Sequence, residues 1–188
     1  MTSHDEILDQ RYTLAFRSDY SARYHRRRAS FLQVTDKLLS VTVLLAGTGA
    51  FISLMSSGPP AIAQIAAAIV ALVSIIQIVF GIGQAGASHA EWMRRWDRLA
   101  SDIRRNSTPN KAQLANWDET RAAIEGECVA ELRALAVACE NDARTYLGLT
   151  EGLREISSLQ RLLIHFGTFQ TDFPPMKHLP PPSPVDGL

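Results

Sequence analysis

A row of polar side chains interrupts the most apolar part of this sequence and is its best candidate for a functional site. The members follow one another at three- and four-residue steps, which places them on one face of a helix: Ser74, Gln77, Gly81, Gln84 and Ser88. Glutamine amides turned toward lipid tails would leave donors and acceptors unpaired, whereas a neighbouring helix or water would satisfy them. The row therefore predicts either static hydrogen bonding between helices or the lining of a pore.

Small residues mark a second face in the same region. Ala63, Ala67 and Ala71 recur at four-residue steps, and Gly49, Ser53 and Ser57 repeat that spacing earlier in the chain. Small side chains let helix backbones approach closely. This close-packing face either holds the two apolar segments of one chain together or joins separate protomers.

The sequence offers no motif for catalysis, for a cofactor or for a metal. Gly81, Gly83 and Gly86 have the spacing of a dinucleotide-binding loop, but they lie in an apolar helical segment instead of between a strand and a helix, so they do not form such a motif. Cys128 and Cys139 are predicted to share one helix, where a rise of roughly 16 Å would keep them from pairing with each other. No histidine stands at metal-ligand spacing from either. We expect no enzyme activity, no cofactor and reduced thiols.

The elements that must position these residues are two long apolar helices. Residues 38–88 contain no Asp, Glu, Lys, Arg or His, and Gly58-Pro59-Pro60 divides them into two halves. At about 1.5 Å per residue each half reaches across a hydrocarbon core of roughly 30 Å. The prediction is an all-α protein with a two-span transmembrane hairpin over 38–88. A soluble protein that buries the hairpin in its own core is the alternative, and a signal peptide fits less well because a second apolar segment follows the first.

Charge predicts the orientation of this hairpin. Lys and Arg together number 19, as do Asp and Glu, so the formal net charge of zero gives no reason to expect nucleic-acid binding. Basic residues flank the hairpin on both sides, and the loop from Ser56 to Pro60 has none. Both termini are therefore expected in the cytoplasm and the hairpin in the inner (cell) membrane.

Aromatic and basic residues next to the spans are expected to anchor the protein at the level of the lipid head groups. These predicted anchors are Tyr24, His25, Arg26, Arg27, Arg28, Trp92 and Trp96. The arginines could instead bind a phosphate-bearing signal. His25 and His89 could also sense acidification because an unperturbed histidine titrates near pH 6.5, although plain hydrogen bonding is the simpler interpretation.

Helices are predicted for most of the remaining chain. An amphipathic helix over 1–37 leads into the first span, and the second span continues without interruption from about Ala61 to Arg105. A turn follows, with Asn110 as the cap of the next helix, and a break falls at Gly148 and Gly152 before a last short helix. Residues 89–170 are thus expected to form a cytosolic helical bundle, and the Pro-rich residues 171–188 an extended or disordered tail.

Three local patterns resemble a known family. Tyr24-His25-Arg26-Arg27-Arg28 precedes the first span, His89 with Trp96 and Leu99 follows the second, and Leu135-Ala-Val-Ala-Cys139-Glu-Asn141 leads to Leu147-Gly148. In this order around a two-span hairpin they are similar to the SLATT domains, two-transmembrane proteins of prokaryotic conflict and antiphage systems. The likeness runs from about Arg17 to Phe166.

The resemblance implies a membrane effector that self-assembles into a pore when a partner senses or makes a nucleotide signal. It also implies a homo-oligomer, a nucleotide-signalling protein encoded nearby, and a place for Cys139 and Asn141 in the family's bundle motif. Some relatives carry a fused nucleotide-handling domain, for which this sequence has no room. The alternative is a membrane-anchored interaction scaffold without pore activity.

Overall fold

The described part of the chain is all-helical. A computed structural model describes residues 3–56, 59–167 and 173–176. Its helices are α1 (Ser3–Met55), α2 (Pro60–Phe80), α3 (Ile82–Arg105), α4 (Lys111–Glu127), α5 (Arg133–Tyr146) and α6 (Ser158–Leu162). Among the described residues the β-type pairing is limited to one isolated bridge, between Arg154 and Pro175. The predicted all-α class with two long apolar helices is confirmed.

The helices fall into two compact units. The bundle unit comprises the described residues of Met1–Tyr24 and Arg95–Leu188, and the hairpin unit comprises His25–Arg94. Both α1 and α3 contribute residues to each unit. The sequence placed the corresponding boundaries at residues 37 and 88, where the apolar stretch begins and ends.

Prolines set the turn between the two apolar helices. Residues 5–36 contain no Pro or Gly, so α1 has no breaker before the apolar segment and runs on to Met55. Pro59 is the N-cap of α2, and Pro60 occupies the first helical position, where the missing N–H costs nothing. Ser57 and Gly58 lie outside the residues that the structure describes. The predicted break is confirmed at Pro59 and Pro60.

Gly81 interrupts the helix that was predicted to be continuous from 61 to 105. It adopts a left-handed conformation (φ 53°, ψ 38°) between the end of α2 and the start of α3. Glycine lacks the Cβ that makes this conformation costly for other residues. The Ala85 N–H donates to the Gly81 carbonyl at 2.9 Å, so a new helix starts at once. One left-handed residue is enough to change which side chains share a face before and after it.

The hairpin unit is an antiparallel helix pair. The Ser53 hydroxyl donates to the Pro59 carbonyl at 3.5 Å near the turn, and the Gln77 amide donates to the Ser40 hydroxyl at 3.1 Å further along. Buried or half-buried positions recur at three- and four-residue steps on both helices. On α1 they are Leu39, Val43, Ala46, Ala50 and Ser53, and on α2 they are Ala63, Ala66, Val70, Val73 and Gln77.

The bundle unit confirms the predicted cap and corrects one predicted helix. Asn110 forms a capping box with Gln113 at the start of α4. The helix expected to carry both cysteines ends at Glu127, where Cys128 takes extended angles, and α5 begins at Arg133. The apolar spacing continued across this gap and concealed it. Cys139 is a buried thiol and Cys128 a half-buried one.

Two clusters form the core of the bundle unit around α5. Tyr24, Leu135 and Cys139 pack together in one, and Ala134, Val137 and Phe173 pack in the other. Trp96, Leu99 and Ile103 of α3 are also buried, as are Trp117 and Ile124 of α4.

Two glycines make the predicted break after α5. Gly148 and Gly152 both have positive φ, at 72° and 77°. The predicted last short helix starts at Ser158, where Ser157 and Gln160 form a capping box, and it ends at Leu162. The structure describes residues 173–176 of the predicted tail, and the remainder of the tail lies outside the described residues. Residues 173–176 are extended and form backbone hydrogen bonds with residues 153–155.

Candidate functional site in the helix pair

Gln77 is the one member of the predicted polar row for which the structure gives a partner across the helix pair. Its amide nitrogen lies 3.1 Å from the Ser40 hydroxyl, 3.3 Å from Asp36 Oδ1 and 3.5 Å from the Asp36 carbonyl. The side chain is half-buried. This geometry gives the N–H groups of the Gln77 amide acceptors within one chain.

The other members of the row do not share this environment. Ser74, Gly81 and Ser88 are half-buried, whereas Gln84 is exposed. The common face predicted from the spacing assumed an unbroken helix, and the left-handed Gly81 shifts the residues that follow it. Gln84 is therefore exposed at the end of the pair where Gly83 approaches Asp36 of α1.

The small residues of α2 divide in the same way. Ala63 is half-buried, but Ala67 and Ala71 are exposed, while Ala66 and Val70 take the positions facing inward. On α1, Ser53 is buried and Gly49 is exposed, with open space where a Cβ would be. Of the two uses predicted for this face, packing within one chain accounts for Ala63 only. Ala67 and Ala71 are left available to another protomer.

Two glycines lie where the helices approach each other closely, a role that the sequence analysis missed. A Cβ on Gly86 would lie 3.3 Å from both the Leu32 Cβ and the Gln33 Cγ. A Cβ on Gly83 would lie 3.1 Å from Asp36 Oδ2. The glycine spacing carried this information, because small residues allow helices to approach closely, but it was compared only with a dinucleotide-binding loop.

A buried histidine pair lies beyond the charge-free stretch. The Nδ1 atoms of His25 and His89 are 2.8 Å apart, and both side chains are almost fully buried. Trp92 closes the cluster, with ring centroids 5.4 Å from His25 and 5.0 Å from His89. One Nδ1 must carry the proton and donate, while the other must accept, so the pair fixes two opposite tautomers.

The surroundings of this pair oppose protonation. Burial, together with the charge of the neighbouring histidine, lowers the pKa of His25 to about 4. Burial and the Arg28 guanidinium lower the pKa of His89 to about 4. A charge on either ring loses its hydration, and a second charge would place two cations side by side. The pair is therefore neutral at pH 7.

The predicted head-group anchors separate into two sets. Arg26 and Arg27 are exposed and Arg28 is half-buried over the Phe31 ring. Tyr24, His25 and Trp96 are buried, which assigns them to packing rather than to lipid contact. Trp92 is half-buried against the histidines. The periodicity that suggested amphipathic anchors belongs to helix faces that have protein partners.

The family-like residues of the bundle unit have structural partners. Cys139 is fully buried beside Tyr24, whose hydroxyl accepts a hydrogen bond from the Leu132 N–H at 2.8 Å. The Asn141 amide donates to the Arg154 carbonyl at 2.7 Å and accepts from the Arg154 N–H at 2.9 Å. Both residues are thus held by contacts within the bundle unit.

Burial raises the pKa of three groups in the bundle unit, Cys128, Tyr20 and Glu131. Burial raises the pKa of the Cys128 thiol, which disfavours the nucleophilic thiolate. The Tyr20 hydroxyl donates to Glu131 at 2.5 Å, and burial raises the pKa of both groups. No group of three or more potential metal ligands lies together among the described residues.

Comparisons with protein-family models, with curated proteins and with solved structures give no match for this chain.

Proposed function

We propose that this chain is an integral membrane protein whose residues 38–88 cross the bilayer twice. The observation that carries the proposal is the exposure of its most apolar surface. Each long helix contains an 18-residue stretch that is its most apolar part. In the first helix 0% of the residues of this stretch are buried, and in the second helix only 6% of them are buried. Ile78 is 80% exposed and Met55 71%. Apolar surface of this extent is stable in lipid, whereas in water it would drive aggregation.

The competing soluble interpretation requires the opposite pattern. A core helix of a water-soluble protein is long and apolar because other parts of the chain cover it. Here the large side chains of α1 and α2 point away from protein: Leu44, Leu45, Leu54, Ile65, Leu72, Ile75 and Phe80 are all exposed. The exposed arginines that flank the pair favour a cytoplasmic location for both termini, in the cell membrane.

Assembly of several protomers into a pore is the function that this surface supports best. The exposed Ala67 and Ala71 would let a second helix approach closely, and the exposed Gln84 amide would find water or another amide in such an assembly. The resemblance to SLATT domains suggests the same activity, triggered by a nucleotide-linked defence partner. The proposed function is a membrane effector that dissipates the membrane potential.

One specific observation favours a second candidate, a membrane-anchored scaffold without a pore. The Gln77 amide nitrogen already has acceptors in Ser40 and Asp36, so this part of the polar row donates its hydrogen bonds within a single chain. A hairpin that only tethers the bundle unit would need no further polar contact. The permeability of the membrane after expression separates the two candidates, because a scaffold leaves impermeant dyes outside.

A pair of arginine substitutions tests the membrane location. Leu72 and Val129 have nearly the same exposure, 60% and 58%, but Leu72 lies in the middle of α2 and Val129 lies in the bundle unit. Arginine at the centre of a span costs about 2.5–3.5 kcal/mol on an insertion scale, and at an exposed site in water it costs little. We expect Leu72→Arg to reduce the membrane-inserted protein severalfold in carbonate-washed membrane fractions.

Val129→Arg is the matched control and should fractionate like the unmodified chain. If residues 38–88 face water, Leu72→Arg should be as harmless as Val129→Arg or should improve solubility. Equal behaviour of the two variants would refute the membrane assignment.

A further inference from the structure

A short extended segment of the bundle unit has both of its edges occupied. On one edge the Asn141 side chain bonds to the N–H and the carbonyl of Arg154, as a neighbouring strand would. On the other edge the Glu155 N–H donates to the Pro174 carbonyl at 2.8 Å, and the Met176 N–H donates to the Leu153 carbonyl at 2.8 Å. The chain segment 173–176 thus docks as an added strand on residues 153–155.

A buried aromatic ring anchors the docked segment. Phe173 is only 6% exposed and packs against Ala134 and Val137 of α5, with Ile156 and Ile164 beside them. The two backbone hydrogen bonds select an extended chain, and the apolar socket selects an aromatic side chain at its start. Together they define the chemistry of a ligand that the site recognises.

Prolines suit this ligand to an edge position. Pro175 has no N–H, and it lies between Pro174 and Met176, the two residues whose backbone groups bond to the edge. A segment of this kind completes its hydrogen bonds on one side and offers no donor at Pro175 for another strand. Open clefts of about 420 and 510 Å³ lie along the segment, the first lined by Arg144 and Pro175, the second by Gln160 and Pro174.

We propose that this groove is a peptide-docking site that the chain's own Phe173–Met176 segment occupies in the resting protein. The partner it fits is an extended segment of another protein with an aromatic residue followed by prolines. Such a segment competes with the resident one for the edge of 153–155 and for the Phe173 socket. The site lies within the bundle unit, so this inference does not depend on the proposed membrane activity.

A labelled peptide tests the proposal on the full-length protein in detergent. The probe is a fluorescent peptide with the sequence Asp-Phe-Pro-Pro-Met-Lys, and its binding is followed by anisotropy. The variant Phe173→Ala removes the aromatic ring of the resident segment and leaves the residues that line its socket unchanged. We expect this variant to bind the probe at least tenfold more tightly than the unmodified protein, in which the tethered segment blocks the groove.

Specificity is tested with the same peptide carrying Ala in place of Phe, which should bind at least tenfold more weakly to Phe173→Ala. Equal binding of the two peptides, or no binding of either to a variant with an unchanged circular dichroism spectrum, would overturn the proposal.

A second variant keeps the test decisive if Phe173→Ala does not fold. Met176→Pro removes the N–H that donates to the Leu153 carbonyl, while Met176→Leu retains it. The proline variant should bind the probe more tightly than the leucine variant, because its resident segment has lost one of two backbone bonds. Identical affinities would show that the resident segment does not compete for this edge.

Discussion

At the scale of single residues, the partner rather than the residue type decides what a polar side chain does. Gln77 and Gln84 are chemically identical and stand seven positions apart in a predicted helix. The structure gives one of them Asp36 and Ser40 as partners and leaves the other exposed. The sequence identified both as candidates, but it could not rank them because the contact with Asp36 depends on how the two helices pack.

The histidine pair makes a prediction about pH. The pKa of both His25 and His89 is lowered from 6.5 to about 4 in the folded protein, so the unfolded chain binds more protons in the interval between these values. Their contribution to stability is fully present above pH 6.5 and is lost as the pH falls toward 4. Each histidine that must stay neutral costs up to about 1.4 kcal/mol per pH unit in that window.

The measurement is thermal unfolding in detergent at pH 7 and pH 5. The unmodified protein should melt several degrees lower at pH 5, and His25→Gln/His89→Gln should lose most of that difference because glutamine does not titrate. His4→Gln, at an exposed histidine of α1, is the control and should keep the full pH dependence. An equal pH effect in all three proteins would exclude the buried pair as its source.

The pairing of His25 with His89 could not be predicted from the sequence, because it depends on the register of two helices far apart in the chain. Local rules placed each histidine next to an apolar segment and so suggested an interface. Long-range packing buried them instead, and the same holds for Tyr24 and Trp96.

At the scale of helices and turns, local signals were accurate where a single residue type has one dominant use. Asn110 as a cap, Pro59 and Pro60 as a turn, and Gly148 with Gly152 as a break were all predicted and observed. Gly81 was not, because glycine inside an apolar helix is tolerated and its left-handed conformation leaves no mark in the sequence. The gap at Cys128 was hidden for a similar reason, since apolar spacing continued across it.

Close approach of the two helices predicts opposite effects for two glycine substitutions. Gly86→Leu forces a side chain against Leu32 and Gln33, and overpacking of this kind costs about 1–3 kcal/mol. Gly47→Leu adds the same side chain on α1 where no atom lies within 4 Å, and it should be neutral or stabilising by up to about 1 kcal/mol because leucine favours helix.

Both changes are read as shifts in the unfolding midpoint of the purified protein in detergent, with helicity recorded alongside. Gly86→Leu should lower the midpoint and Gly47→Leu should not. If Gly86→Leu is as stable as the unmodified protein, the helices do not approach each other at this glycine.

At the scale of the whole molecule, the sequence predicted the apolar surface of residues 38–88 better than it predicted which residues of that surface pack inside the helix pair. A charge-free stretch of two span lengths is readable from composition, and the structure leaves that surface uncovered by protein. The left-handed Gly81 and the contact with Asp36 decide which face of each helix packs inside the pair. Composition gives no information on either. The exposed remainder, with Ala67, Ala71 and Gln84, is the part that an assembly would have to use.

The exposed amide of Gln84 therefore makes the sharpest prediction about pore activity. In a pore this amide meets water or its counterpart on another protomer, and leucine at the same place would line the path with apolar surface and disfavour hydration. Induced expression of the unmodified protein in bacteria should admit an impermeant dye, and Gln84→Leu should reduce dye entry at least several-fold at equal protein in the membrane. Gln64→Leu is the control, an exposed glutamine near the start of α2 at the opposite end of the helix pair. It should leave dye entry unchanged.

If Gln84→Leu does not affect dye entry, this face does not line the pore. If the unmodified protein admits no dye, the scaffold is favoured, because a tether needs its apolar surface in lipid but no continuous polar path through it.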